Sequence, residues 1–161
     1  MTRLLRFTVV AAIVVAGCAK PPAGPPPLTI AAGAGASRAP MTIAANAEIN
    51  PDVSGRPSPI VVRVYQLRTD EAFTTAEFFA LFDDEQKVLG QELISRDEFM
   101  VAPMETRTVD VSLAGETRFV GVIAAFRDIR NAQWRSVVAA PRGGFTVSIE
   151  RARVMLTPAA K

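Results

Sequence analysis

Side chains able to do chemistry are few in this chain, and what is missing narrows the choices first. Histidine is absent and cysteine occurs once in 161 residues. That removes imidazole-activated nucleophiles, Cys/His zinc sites and any intrachain disulfide. Serine and threonine hydroxyls have no imidazole base, and neither a G-x-S-x-G elbow nor a phosphate-binding P-loop occurs. Asp83-Asp84-Glu85 could suggest calcium, but Lys87 stands at the third ligand position of a calcium loop and Val88 where its glycine belongs. A solvated helix end explains the run better. Gly33-Ala34-Gly35 begins like a dinucleotide loop, yet Arg38 replaces the third glycine and no βαβ pattern surrounds it. A hydrolase built on two carboxylates stays open, though nothing marks a pair. No enzyme activity, cofactor, metal or small-molecule substrate is expected.

The remaining reactive group is the Cys18 thiol. Residues 1–6 carry Arg3 and Arg6 and no acid, and residues 7–17 carry no charge; these are the n-region and h-region of an export signal. As a helix the apolar run would span about 16 Å against a hydrocarbon core of about 30 Å, too short for a spanning anchor. It ends in Val15-Ala16-Gly17-Cys18, which resembles the lipobox of bacterial lipoproteins, whose cysteine is lipidated before cleavage. A thioether-linked diacylglycerol plus an N-acyl chain, at about 0.8 kcal/mol per buried CH₂, suffices for stable anchoring. An ordinary signal peptide with a chance cysteine is the plain alternative. Ala19, where an aspartate would retain the protein at the inner membrane, resembles the sorting pattern of outer-membrane lipoproteins.

Removing 1–17 takes two of the 18 basic side chains and leaves 16 against 16 acidic ones. The pI near 9.1 therefore belongs mostly to the signal. Nucleic-acid binding, which begins with phosphate neutralisation by a net basic surface, loses its support. The remaining charge is uneven: residues 70–98 hold nine acids and two bases, and residues 118–153 hold seven bases and two acids. Two solvated faces are the plain reading, and polar contact with a protein partner is the sharper one.

These groups need elements to position them, and a 49% hydrophobic chain can bury a core. Residues 18–40 read as the lipidated cysteine and a Pro/Gly/Ala-rich tether, with Pro21, Pro22, Pro25, Pro26 and Pro27 favouring extended polyproline II. One heptad is duplicated: Leu28-Thr29-Ile30-Ala31-Ala32-Gly33-Ala34 recurs as Met41-Thr42-Ile43-Ala44-Ala45-Asn46-Ala47. The second copy is taken as the first strand, which puts the folded domain at 41–161. Val109, Val111 and Leu113 alternate with polar residues, as do Phe145, Val147 and Ile149, the pattern of half-buried antiparallel strands. Residues 60–67 and 119–126 are apolar on both sides, as central strands are, and Gly121 admits a close neighbour. Shorter strands at 41–45, 99–102, 134–139 and 154–157 bring the count to eight, an all-β sandwich of two sheets. Thr74-Thr75-Ala76-Glu77 reads as a capping box. The helix it opens would use Phe78, Phe79, Leu81 and Phe82 to close one end of the sandwich against Tyr65 or Leu67. Trp134 is expected in the core, and Arg127, Asp128 and Arg130 as a surface cluster or an internal ion pair.

Several separate motifs then stand in one order: the lipobox, the tether, Asn50-Pro51-Asp52, Gly55-Arg56-Pro57-Ser58-Pro59, Val61-Val62-Arg63-Val64-Tyr65-Gln66-Leu67, Phe78-Phe79-Ala80-Leu81, Gly121-Val122-Ile123-Ala124-Ala125-Phe126-Arg127 and Trp134-Arg135. Over residues 41–157 the chain resembles the outer-membrane lipoprotein family of the type VI secretion system, TssJ, also called VasD or SciN. The resemblance implies a transthyretin-like sandwich of two four-stranded sheets with helices between strands 2 and 3. It implies a non-enzymatic protein, lipid-anchored through Cys18 to the outer membrane and facing the periplasm. The implied partner is the periplasmic C-terminal region of the inner-membrane TssM, an IcmF-like protein that itself pairs with TssL, so that the envelope is bridged. The family's contact loop joins the first two strands and maps onto residues 48–58, with Asn50, Pro51, Asp52, Gly55 and Arg56 as partner-binding residues. Turn formation alone also accounts for those residue types. The other functional reading is a periplasmic carrier or chaperone binding a small ligand or an extended peptide.

Overall fold

Alternation of apolar and polar residues becomes eight strands in the computed structural model, which describes residues 35–159. Cys18, the expected leader, the first heptad copy and most of the expected tether lie outside the described residues. The strands are β1 (Ser37–Ala45), β2 (Ile60–Leu67), β3 (Leu93–Val101), β4 (Thr106–Leu113), β5 (Phe119–Ala124), β6 (Arg135–Ala139), β7 (Phe145–Ile149) and β8 (Val154–Pro158). They form two four-stranded sheets, β4-β1-β7-β8 and β3-β2-β5-β6. All neighbours are antiparallel except β1 and β7. The expected all-β sandwich is what forms.

Inward residues of both sheets make one core, with Met41, Ile43, Ile60, Val62, Val101, Val120, Val122, Val147 and Ile149 all essentially inaccessible. A second core lies on the outer face of the β2–β5 sheet. There α1 (Glu71–Thr75), α2 (Phe78–Asp83) and α3 (Glu85–Leu89) press Phe73, Phe78, Leu81 and Leu89 onto Tyr65, Leu67 and Ile123. β2 and β5 are therefore buried on both sides, which is why their sequences lack polar alternation. Gly121 of β5 is required here, because a Cβ at that position would stand 2.7 Å from Phe73 Cζ.

Four expectations need correction. β1 begins at Ser37, not Met41, because Ala39 is buried and Ser37 through Pro40 already pair with β4. Pro40 is tolerated because β7 joins only at Met41. The capping box does not form: Thr74 lies inside α1, where its hydroxyl and that of Thr75 donate to the Glu71 carbonyl, and Glu77 precedes α2 without a side-chain cap bond. The helices cover a sheet face instead of an end. β3 is longer than expected, its edge position permitting the charged run Arg96-Asp97-Glu98.

Strand direction fixes what each end of the sandwich presents. Ala44 of β1 pairs with Thr106 of β4, Ala45 with Ile149 of β7, Ile60 of β2 with Val101 of β3, and Val62 with Ala124 of β5. Odd strands thus run one way and even strands the other. The connections β1–β2, β3–β4, β5–β6 and β7–β8 all emerge at the end opposite the one where the chain enters β1. Among the described residues no helix is long and apolar enough to cross a membrane.

Candidate functional site

The longest irregular connection at that end, between β1 and β2, is anchored from beneath and open at its tip. Ile49 is inaccessible, and Asn50 is 4% exposed. The Asn50 amide Nδ2 donates to the Pro59 carbonyl at 2.9 Å, its Oδ1 accepts from the Arg127 backbone N–H at 2.8 Å, and its own backbone N–H donates to the Arg151 carbonyl at 3.1 Å. One residue thereby joins three connections, two through its side chain and the third through its backbone. Its φ of 47° is left-handed, a conformation that asparagine tolerates better than most residues.

The tip is organised by Asp52. Its Oδ1 accepts from the Ser54 and Arg56 backbone N–H groups at 2.9 and 3.0 Å, and its Oδ2 faces the Arg56 Nε at 3.2 Å. The Arg56 backbone N–H is the main cause holding the Asp52 carboxyl below its ordinary value of 3.8. Gly55, at φ 79°, completes the turn and is exposed. The Arg56 side chain is 82% exposed and Val53 is fully so. Pro51 and Asp52 are half-buried.

Two other connections face this loop across a cleft of about 560 Å³. Phe126, Arg127 and Asp128 contribute from β5–β6, and Arg151 and Ala152 from β7–β8. Arg127 and Arg130 are exposed and form no salt bridge among the described residues. Asp128 accepts from the Asn131 amide through both oxygens, so this cluster is a surface one. Arg151 pairs loosely with Glu48 at 3.5 Å, and Arg153 with Glu150 at 3.6 Å; exposed pairs of this kind contribute little to stability. Trp134 is half-buried between the two cores, edge-on to Phe78 at 5.2 Å and under the Arg135 guanidinium at 4.7 Å. Its placement is thus less interior than expected.

The five residues singled out in the sequence divide by this geometry. Asn50 supports, Pro51 and Asp52 shape, and Gly55 and Arg56 are displayed. Arg127 and Arg151 were not joined to them in the sequence, being far along the chain. The parity of eight alternating strands is the signal that would have brought them together. The arrangement offers guanidinium groups, a constrained turn and a shallow cleft, which suits contact with another protein. Among the described residues no three His, Cys, Asp or Glu side chains converge as metal ligands.

Comparison with known proteins agrees with this architecture. The model of the type VI secretion lipoprotein family (VasD, EvfM, TssJ) matches residues 37–158. The T6SS lipoprotein TssJ1 from Pseudomonas aeruginosa superposes with a TM-score of 0.74 at 32% identity, covering 78% of this chain and 98% of that one. Serratia marcescens Lip, a membrane-bound component of the type VI secretion system, gives 0.69 at 28% identity, covering 78% and 97%. A chain in the structure of the T6SS protein TssM C-terminal domain from EAEC gives 0.64 at 26% identity, covering 76% and 98%. No match is found among curated protein sequences. With the matched region running from the first residue of β1 to the last of β8, the chain belongs to the type VI secretion lipoprotein family.

Proposed function

We propose that the protein is the outer-membrane foot of a type VI secretion membrane complex. It is lipidated on Cys18 and binds the periplasmic region of a TssM/IcmF-like inner-membrane protein, and through it TssL, without enzymatic activity. The observation that carries this reading is the polarity of β1. The chain enters the domain at one end, and the Pro51–Arg56 tip stands at the other, separated by about 30 Å for nine residues of strand. A lipid on Cys18 would join the chain on the β1 entry side, which leaves the opposite end free for a partner. A similar chain in the TssM structure supports the choice of partner. The carrier or chaperone alternative gains no comparable support, since inward side chains of both sheets occupy the interior.

Two experiments test it. Labelling cells with a fatty-acid analogue should mark the wild type and not Cys18→Ser; incorporation into the variant would reject the lipidation site. Titrating the purified partner region against the protein should give binding that Arg56→Glu with Val53→Asp weakens about tenfold, with the unfolding midpoint held. Equal affinity would move the interface elsewhere on the molecule.

A further inference from the structure

Met104 stands where a glycine is expected. The connection from β3 to β4 is the turn Ala102-Pro103-Met104-Glu105, closed by the Glu105 N–H donating to the Ala102 carbonyl at 3.2 Å. Met104 has φ 63°. Proline at the second position and positive φ at the third define a type II turn, whose third position favours glycine because a Cβ is strained there. The backbone is nevertheless held in this form. The Glu105 carboxylate accepts from the Ala102 N–H at 2.8 Å, and the Met104 N–H donates to the Asn46 carbonyl at 3.1 Å.

What that strain supports is a side chain in water. Met104 is 76% exposed, and Met100, near the end of β3, is 61% exposed. Among the described residues four large apolar side chains are exposed, and three of them, Val53, Met100 and Met104, lie at the end carrying the β1–β2 tip; the fourth is Phe79 on α2. Exposed apolar groups gathered in one region mark protein contact. Methionine, unbranched and polarizable, adapts to a partner's surface. Backbone strain that a smaller residue would relieve is characteristic of functional positions.

We infer that Met100 and Met104 form an apolar lobe of the partner surface, beside the charged β1–β2 tip, and that it receives apolar side chains of the same inner-membrane protein's periplasmic region. The inference rests on the function proposed above. Its occupant follows from continuity, because the Met104 N–H to Asn46 bond joins the turn directly to the start of the β1–β2 connection.

The test sets Met104→Gly, alone and with Met100→Ser, beside Arg56→Ala in the full mature chain, titrated against the purified partner region with melting curves on the same preparations. Glycine relaxes the turn, so Met104→Gly should hold or raise the midpoint while weakening binding about fivefold, and the double variant about twentyfold. The loss should persist at high salt, whereas the loss caused by Arg56→Ala should shrink. Wild-type affinity in the methionine variants with weakened Arg56→Ala overturns the apolar lobe and leaves the proposed function standing. Wild-type affinity in all of them overturns the lobe and moves the interface elsewhere on the molecule, and no binding by the wild type overturns the proposed function. A lowered midpoint in Met104→Gly makes the methionine a folding residue and overturns the lobe.

Discussion

The two connections that flank β2 are both rich in charge and use it in opposite ways. At the helical connection to β3, arginines of the sheet beneath, Arg63 of β2 and Arg135 of β6, reach into the helical layer. The Arg63 Nε donates to Glu98 at 2.7 Å, while its Nη1 donates to the Phe82 carbonyl and to Glu85, and its guanidinium lies 3.9 Å over the Phe82 ring. The Arg135 Nη1 donates to the Phe73 and Ala76 carbonyls, satisfying the end of α1. In the connection from β1, Arg56 touches only its own loop through Asp52 and leaves its side chain in solvent. The acidic stretch that looks like a binding face in the sequence is thus partly the fastening of a helical layer. The surface proposed to meet the partner carries instead groups left unfastened.

Breaking the fastened region should have the largest effect. Gly121→Val drives a side chain into Phe73, which is fully buried against Tyr65, and should cost about 3 kcal/mol in urea unfolding. Adding Phe73→Ala should recover part of that loss; no recovery would mean that the ring is not the obstacle. Arg135→Met leaves two carbonyls without their charged donor and should cost about 2 kcal/mol. A change under about 0.5 kcal/mol would show that water replaces the guanidinium. Arg56→Ala, on the displayed side, should stay within about 0.5 kcal/mol of the wild type while weakening partner binding.

Acidity should separate the two regions as well. Burial pushes the Tyr65 hydroxyl up to about 12; it has no hydrogen-bond partner among the described residues, although the Arg63 charge acts on it. Because the folded value lies above the unfolded one of 10.0, the stability it gives is intact below pH 10 and is lost as pH rises toward 12. A phenolate absorbance titration should show no ionisation at pH 10 in the native protein. Asp52 has the reverse sign: its lowered folded value keeps the tip ordered above 3.8, with order lost only as pH falls through that lower value. The Ser54 and Arg56 amide resonances should be unchanged between pH 7 and 5; earlier movement would mean that the carboxylate does not hold the tip.

Much of the fold was legible because alternation and double-sided apolarity report directly on burial. The β4 and β7 faces follow from Val109, Val111, Leu113 and Phe145, Val147, Ile149, and Gly121 announces the Phe73 contact. What escaped lacked that signal. Ser37-Arg38-Ala39-Pro40 buries a single alanine, and Arg96-Asp97-Glu98 pairs along an edge where no face is hidden. Thr74 and Glu77 have the capping spacing, but Asp70 and Glu71 start a helix earlier, so the hydroxyl serves the end of a helix. At the site the turn residues were readable, whereas the cleft partners Arg127 and Arg151 depend on pairing across the whole chain. Met104 was hidden for a local reason: turn chemistry calls for glycine, and the departure shows only in φ.

The place of β1 inside its sheet has a mechanical consequence. It is flanked on both sides, by β4 over eight residue pairs and by β7 over five, and its entry end lies opposite the tip. In the role proposed above, a pull entering at the start of β1 and leaving at the tip would act along the strands. Ladder hydrogen bonds lie across that direction, so the load falls on many of them together in shear, with no single pair opened first as in a zipper. An anchor entering through an edge strand or a loop would peel. Threaded through β1, the domain would bear the tension that the proposed bridging role implies without surrendering its fold one bond at a time.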